Sequence, residues 1–423
     1  MFIKLRHLPA LSLSVFLGAS PFCATADSNH AAIEHYDQLI SDPGLNLKQL
    51  VDIATEVYPK LAVAGAMEEE AGALKRRGDS WMPGYPQLYA QYIDDSLSRD
   101  RGIKQVQTGI QMPLWMWGQK AAGQHLAEQA ATNAAEFQRA LRYEVAGLVR
   151  ELLWEISLAE SRYHLAKQVY DLSTRLTDTV RLRVDAGDLA RADLLLAQSD
   201  NLEKLNAFTE TEANLMHARQ AYINLTRQER IPGAYDEQRS PRTDIGGDHP
   251  ALAAASTAVE RARAELEWVK KSKQGNQPTV LVGTQHDWFQ RGQARDDSTN
   301  LVVQVPFGGS DYNAPVEADA NVKLSHAIAD RDLLARQLER SLHEAKHHLE
   351  VDKAQLGVAV ERKKLAERHF EISRTSFEAG EMELLDLLKI ESAARTAIRD
   401  AELLAIQLKR DTARYNQVVG EMP

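Results

Sequence analysis

The sequence predicts a mainly α protein with membrane-type β-strands: two long-helix hairpins made by internal duplication, each carrying one pair of short strands. Three observations lead there. Pro59, Pro86, Pro113 and Gly187 return as Pro250, Pro278, Pro306 and Gly380, at spacings of 191, 192, 193 and 193 residues, so order is kept with a drift of only two. Long stretches rich in Ala, Leu and Glu hold apolar residues three and four apart, the period of a helix with one buried face. Between them lie short alternating segments bounded by Pro, Gly and Asp-rich turns, the pattern of paired strands.

The N-terminus is a leader of another kind. Lys4 and Arg6 precede an apolar run from Leu8 to Ala19, and Ala24-Thr25-Ala26 forms a small-residue cleavage site, so residues 1–26 read as a secretory signal. Cys23, the only cysteine, follows Phe22, where a lipoprotein signal needs a small residue; this argues against lipid attachment. The mature chain then holds no thiol, and its stability rests on packing even in an oxidising compartment. Cleavage leaves 48 basic against 60 acidic side chains, a net charge of −12, which disfavours nucleic acid as a partner. No stretch after residue 26 approaches 18 consecutive apolar residues, so any crossing of a membrane falls to strands.

The first repeat covers 27–230, a linker 231–248, and the second repeat 249–423. Each repeat predicts a helix of about 30 residues, a β-hairpin, a very long helix, a glycine break and a helix of about 40 residues. In the first long segment Phe137, Leu141, Val145, Leu148, Leu152 and Ile156 begin a stripe that Leu165, Val169, Leu172, Leu176, Val180 and Val184 continue. From Ala121 to Ala186 such a helix measures about 100 Å at 1.5 Å per residue, too long for a globular core. The hairpins span about 85–113 and 278–306. Val106, Thr108, Ile110 and Met112 face one way and Gln105, Gln107 and Gln111 the other; Leu301, Val303, Val305 and Phe307 alternate around Gln304 in the same manner.

Strands near ten residues have the length that crosses an outer membrane when tilted, and composition equally allows a soluble sheet folded onto the helices. Four strands cannot close a barrel, and open edges in lipid would strand backbone groups, so several chains must pool them. Three chains give about 12 strands, wide enough for a passage, whereas two give about eight and a filled interior.

The ordered set of signal peptide, duplicated helix–hairpin–helix, proline at each hairpin end and G-x5-D after each long helix resembles the TolC-type outer-membrane efflux family over Leu45 to Gly420. The P-L-W-x-x-G-Q-K run at Pro113–Lys120 is similar to the CzcC-like heavy-metal branch. The resemblance implies a homotrimer, a 12-stranded outer-membrane β-barrel above a periplasmic α-barrel. It would act as a passive duct for substrates handed over by an inner-membrane pump of the resistance-nodulation-division type and a periplasmic adaptor. It places Gly187, Asp188, Gly380 and Glu381 at the periplasmic tip where an adaptor docks, although a glycine there also suits a plain helix end. It places Asp193 and Asp386 at the entrance gate, where an ordinary surface carboxylate is the alternative. Lys389 stands where relatives carry a further aspartate, and Met382 where they carry a tip arginine. Pro113, Gly118, Pro306, Gly308 and Gly309 match the strand–helix junctions. Trp115 and Trp117 suit either the membrane–water boundary against outer-membrane lipid or interior packing.

One motif pulls elsewhere. His343, Glu344 and His347, with His348 beside them, form H-E-x-x-H, the zinc-gripping pattern of metallopeptidases. At the repeat offset these positions hold Arg150, Glu151 and Trp154, so the same place in the fold is built without histidine, and neither a catalytic zinc nor any cofactor is expected. A periplasmic coiled-coil adaptor is a second alternative, but an adaptor of the membrane-fusion type has one hairpin flanked by compact β domains.

Overall fold

The computed structural model describes residues 37–273, 276–290, 292 and 294–423. The signal segment and Cys23 lie outside them. Residues Asp37–Pro423 form one unit. Its elements in order are β1 (Ile40–Asp42), α1 (Leu47–Val57), α2 (Leu61–Asp79), β2 (Gln87–Asp94), β3 (Lys104–Pro113), α3 (Gln119–Asp185), α4 (Arg191–Thr226), β4 (Arg230–Pro232), α5 (Pro250–Ser272), β5 (Thr279–Trp288), β6 (Asp296–Gln304), α6 (Ser310–Glu378) and α7 (Leu384–Val418).

The helix expected before the first hairpin is two. Asn46 opens α1 with a reciprocal cap, its side chain accepting from Gln49 N at 2.8 Å while Gln49 Oε1 accepts from Asn46 N at 3.0 Å. Tyr58 is held extended by the proline that follows, which ends α1 and lets α2 restart at a new angle. In the second repeat Pro250 instead occupies the first turn of α5, where its missing N–H costs nothing, and the helix runs on unbroken. Helix α6 starts at Ser310 and carries Pro315 in its second turn.

The 67-residue α3 is the central rod, touching α1, α2, α4, α5 and α7. Its predicted stripe is buried at Leu141, Val145, Ile156 and Val180, but Leu148 is exposed. A second seam of Ala146, Val149 and Leu153 is buried as well, because a helix with neighbours on several sides needs more than one apolar face. Leu50 and Val51 of α1, Val145, Val149, Leu153 and Ile156 of α3, and Leu215 and Tyr222 of α4 form the largest core. Through their contacts the four long helices lie in the lateral order α4-α3-α7-α6.

The duplication is visible in detail. Tyr222 and Tyr415, each 35 residues past its tip glycine, are both fully buried, and each hydroxyl donates to a backbone carbonyl, Arg230 O at 2.6 Å and Arg242 O at 2.5 Å. Arg227 and Gly420, likewise equivalent, both have positive φ, +53° and +81°.

The segment read as a linker is built into the fold. Ile40, Ser41 and Asp42 of β1 pair in parallel with Arg230, Ile231 and Pro232 of β4. Beyond β4, Tyr235 sets its ring edge-on to Trp154 at 5.1 Å, and Asn416 Oδ1 accepts from Ser240 N at 2.8 Å. The segment straps α3 to the end of α7.

Candidate functional site

The four longer strands form one antiparallel sheet in the order β2-β3-β5-β6, so the two predicted hairpins join through β3 and β5. Register fixes the faces. One row pattern sets Leu88, Ala90 and Tyr92 beside Val106, Thr108, Ile110 and Met112, then Val280, Val282 and Thr284, then Thr299, Leu301 and Val303. The opposite face carries Gln87, Gln91, Gln105, Gln107, Gln111, Gln285, Ser298, Asn300 and Gln304, with Leu281 buried among them. The apolar face is open to solvent at Leu88, Ile110, Val282, Leu301 and Val303, and no helix of the described residues packs over it. Such a surface is costly in water and suited to lipid.

Gly109 and Gly283 face each other across β3 and β5. A Cβ on Gly283 would fall 2.2 Å from Thr108 O, and one on Gly109 would fall 2.7 Å from Val282 O, so two facing glycines allow a backbone approach that side chains forbid.

Pro113 is the last residue of β3, and Leu114 N still donates to Pro278 O at 2.7 Å. Gly118 at φ +75° starts α3; Gly308 at +76° and Gly309 at +85° follow Pro306 and start α6. The two tryptophans part company. Trp115 Nε1 donates to Ser80 O at 3.2 Å and its ring meets Trp268 edge-on at 6.4 Å, so it locks the junction to α2 and α5. Trp117 is 98% exposed.

At the other end each long helix closes in a Schellman turn. Gly187, φ +85°, donates to Val184 O at 3.0 Å and Asp188 N to Arg183 O at 2.8 Å; Gly380, φ +80°, donates to Phe377 O at 3.0 Å and Glu381 N to Ser376 O at 2.9 Å. Both glycines have open space where a Cβ would point. The two turns are held together by Val180, Ala197, Phe377, Leu384 and Leu387, with Met382 packed against them. Arg183 crosses between the repeats, its guanidinium 5.2 Å from the Phe377 ring centroid. Asp193 accepts from Ala190 N at 3.1 Å and so caps α4, while Asp386 is paired with Lys389 at 3.2 Å. One aspartate thus works as a helix cap, and the other has its charge offset by a lysine one turn away.

The sequence had not pointed to a groove of about 560 Å³ between α3, α4 and α7, lined by Val169, Asp200, Lys204, Leu388, Glu391 and Arg395 among others. Burial pushes the Glu391 carboxyl up from its ordinary value, against the pull of Arg395 beside it.

His343, His347 and His348 are exposed on α6, and Glu344 pairs with Arg340 at 3.7 Å. Among the described residues no three His, Cys, Asp or Glu side chains gather into a metal-holding group, and no helix is long and apolar enough to cross a membrane.

No family profile matches the chain. It is 26% identical over 298 residues to the cobalt-zinc-cadmium resistance protein CzcC of Cupriavidus metallidurans, which spans 66% of this chain and 68% of the relative. Among solved structures, the outer-membrane protein VceC of Vibrio cholerae superposes with a TM-score of 0.70 at 14% identity, over 89% of this chain and 96% of VceC. The outer-membrane channel OprN does so with 0.70 at 15% identity, over 96% and 99%. In fold this chain is similar to outer-membrane channels such as VceC and OprN, and in sequence it is similar to the cobalt-zinc-cadmium resistance protein CzcC.

Proposed function

We propose that the protein is the outer-membrane duct of a tripartite efflux system, a homotrimer whose sheet lies in outer-membrane lipid and whose helices extend the passage into the periplasm. One observation supports this most: a four-stranded sheet with a bare apolar face, a glutamine-rich opposite face and two unpaired edges, joined directly to helices of 67 and 69 residues. Edges β2 and β6 complement each other when copies meet head to tail, and a threefold ring would remove every edge. The helical layer has the same logic, since its outer members α4 and α6 carry uncovered apolar stripes.

In this reading the glutamine face lines the barrel and passes solutes without binding them tightly. Gly187, Asp188, Gly380 and Glu381 form the surface for a periplasmic adaptor, the open space at both glycines allowing close backbone approach. Asp193 and Asp386 stand at the entrance, with Asp386 offset by Lys389. Trp117 reaches the membrane boundary, and Trp115 braces the junction. An inner-membrane pump of the resistance-nodulation-division type selects the cargo, and kinship with CzcC favours divalent metal cations. The duct itself makes and breaks no bond.

The test is expression in a Gram-negative host, followed by electrophoresis of unheated outer-membrane fractions and single-channel recording in planar bilayers. A band at three times the chain mass that collapses on heating, with discrete current steps, is expected. A soluble periplasmic monomer without conductance would reject the proposal.

A further inference from the structure

The second repeat buries something that the first does not. Asp352 of α6 lies 28 residues before Gly380, and Asp411 of α7 lies 31 after it. At the same distances from Gly187 stand Ala159 and Ala218, both buried in the core between α3 and α4. The repeats are superimposable at this height, as the buried pair Tyr222 and Tyr415 four residues further on shows. The fold therefore needs only two methyl groups here, and the second repeat places two carboxylic acids in their stead.

Both acids are hidden, Asp352 3% and Asp411 5% exposed. Asp352 Oδ2 is buried without a hydrogen-bond donor, and it is Asp352 that Asp411 meets across the helix pair. Arg410 of α7 approaches Asp411 at 3.6 Å, and the exposed His348, one turn before Asp352 on α6, interacts electrostatically with Asp411. Leu349, Tyr415 and Leu408 pack beside them. Two carboxylates at this distance from water repel each other and lose hydration; with one proton between them they form a hydrogen bond.

We propose that Asp352 and Asp411 form a proton-binding pair that ties α6 to α7 when a single proton is shared and loosens this crossing when the proton leaves. Burial, followed by the hydrogen bond to Asp352, pushes the Asp411 carboxyl up to about 6, against the pull of Arg410 and His348. A carboxyl that is raised in the folded state binds a proton that the unfolded chain has already released. Its contribution is therefore complete below the ordinary aspartate value, near pH 4, and is lost as pH rises through about 6. The first repeat has alanines in the same place and therefore no matching carboxyl pair. The second hairpin of the rod thus carries at this height a proton-dependent contact that the first lacks.

Hydrogen–deuterium exchange on the detergent-solubilised full chain tests this with the first repeat as internal reference. Peptides covering 349–356 and 408–415 are compared with those covering 156–163 and 215–222, at pH 5 and pH 7.5 after correction for intrinsic rates. Protection of the second pair relative to the first is expected to fall on going to pH 7.5. The shift should vanish in Asp411→Asn, which keeps the hydrogen bond without titrating, and in the Asp352→Ala/Asp411→Ala double variant, which copies the packing of the first repeat. An unchanged ratio in the wild type, or a shift that persists in both variants, overturns the proposal. So does a wild-type protection at pH 7.5 that zinc ion restores and Asp411→Asn abolishes, since the pair would then hold a cation in place of a proton. These readouts depend on packing within one chain and are separate from the test of trimer and conductance.

Discussion

Arg150 is 4% exposed, an unusual place for a guanidinium, and its surroundings explain it. Nε and Nη2 donate to the two oxygens of Glu237 at 2.8 and 2.7 Å, and Nη1 reaches the Gln417 side chain and Glu421 O, so the planar fork fastens α3, the strap after β4 and the C-terminal end of α7 at one point. Removing it leaves the Glu237 carboxylate, 15% exposed, without its counter-charge and with only the Asn416 amide beside it at 3.3 Å. Arg150→Ala should cost about 3–5 kcal/mol, and the double variant with Glu237→Ala should cost less than the single one, because the stranded charge goes too. Urea unfolding of the wild type and the two variants, with proteolysis of segment 233–249 as local readout, checks the order. His343, at the equivalent height in the second repeat, is exposed, and His343→Ala should stay within about 0.5 kcal/mol of the wild type. The contrast is the physical reason for reading H-E-x-x-H as surface: the position does structural work in one copy and faces solvent in the other.

At the scale of elements, the sheet is where sequence and structure agree most and where they part. The alternation of Val106 to Met112 against Gln105 to Gln111 was legible because a strand has period two, and the junction residues because Pro and Gly act locally. The pairing of β3 with β5 was not, since it joins residues 176 apart at Thr108 and Thr284 and leaves no local trace. Nor was the Gly109–Gly283 contact, the strap through Glu237, or the carboxyl pair of α6 and α7, each of which exists only once distant segments meet. The break at Pro59 hid for another reason: apolar period continues across it, and only the proline's hold on Tyr58 ends the helix. The two faces of the sheet give a sharp prediction. Val282→Arg places a charge in the middle of the apolar face and should cost about 2–4 kcal/mol of membrane insertion, seen as loss of the heat-modifiable oligomer. Gln107→Ala, on the neighbouring strand and the opposite face, should assemble like the wild type. Equal behaviour of the two would mean that the faces do not part lipid from lumen.

For the whole molecule the decisive feature is what its edges lack. The sheet ends in β2 and β6, the helical layer in α4 and α6, and both pairs of edges belong to the same two sides of the chain. Along α6, Val358, Leu365 and Ile372 recur at seven-residue spacing and are exposed; along α4, Leu195 and Leu202 do the same. A seven-residue repeat is the seam of a coiled coil awaiting a partner. Heights match as well. Leu195 and Ile372 each lie eight residues from their tip glycine, and Leu202 and Leu365 each lie 15, so an α4 edge of one copy set beside the α6 edge of the next brings apolar side chains level in two layers. Edge joining edge in this sense is head-to-tail and closes only as a ring. Within one chain α3 and α7 stand between these helices, so Leu202 and Leu365 have no route to each other except between copies. The pair Leu202→Cys and Leu365→Cys, introduced together, should therefore form disulfides only between chains, and mild oxidation of membranes should give a ladder that stops at three chain masses on non-reducing gels. Dimers alone would indicate a twofold contact, and a ladder running past three would indicate an open filament; either outcome removes the closed threefold duct.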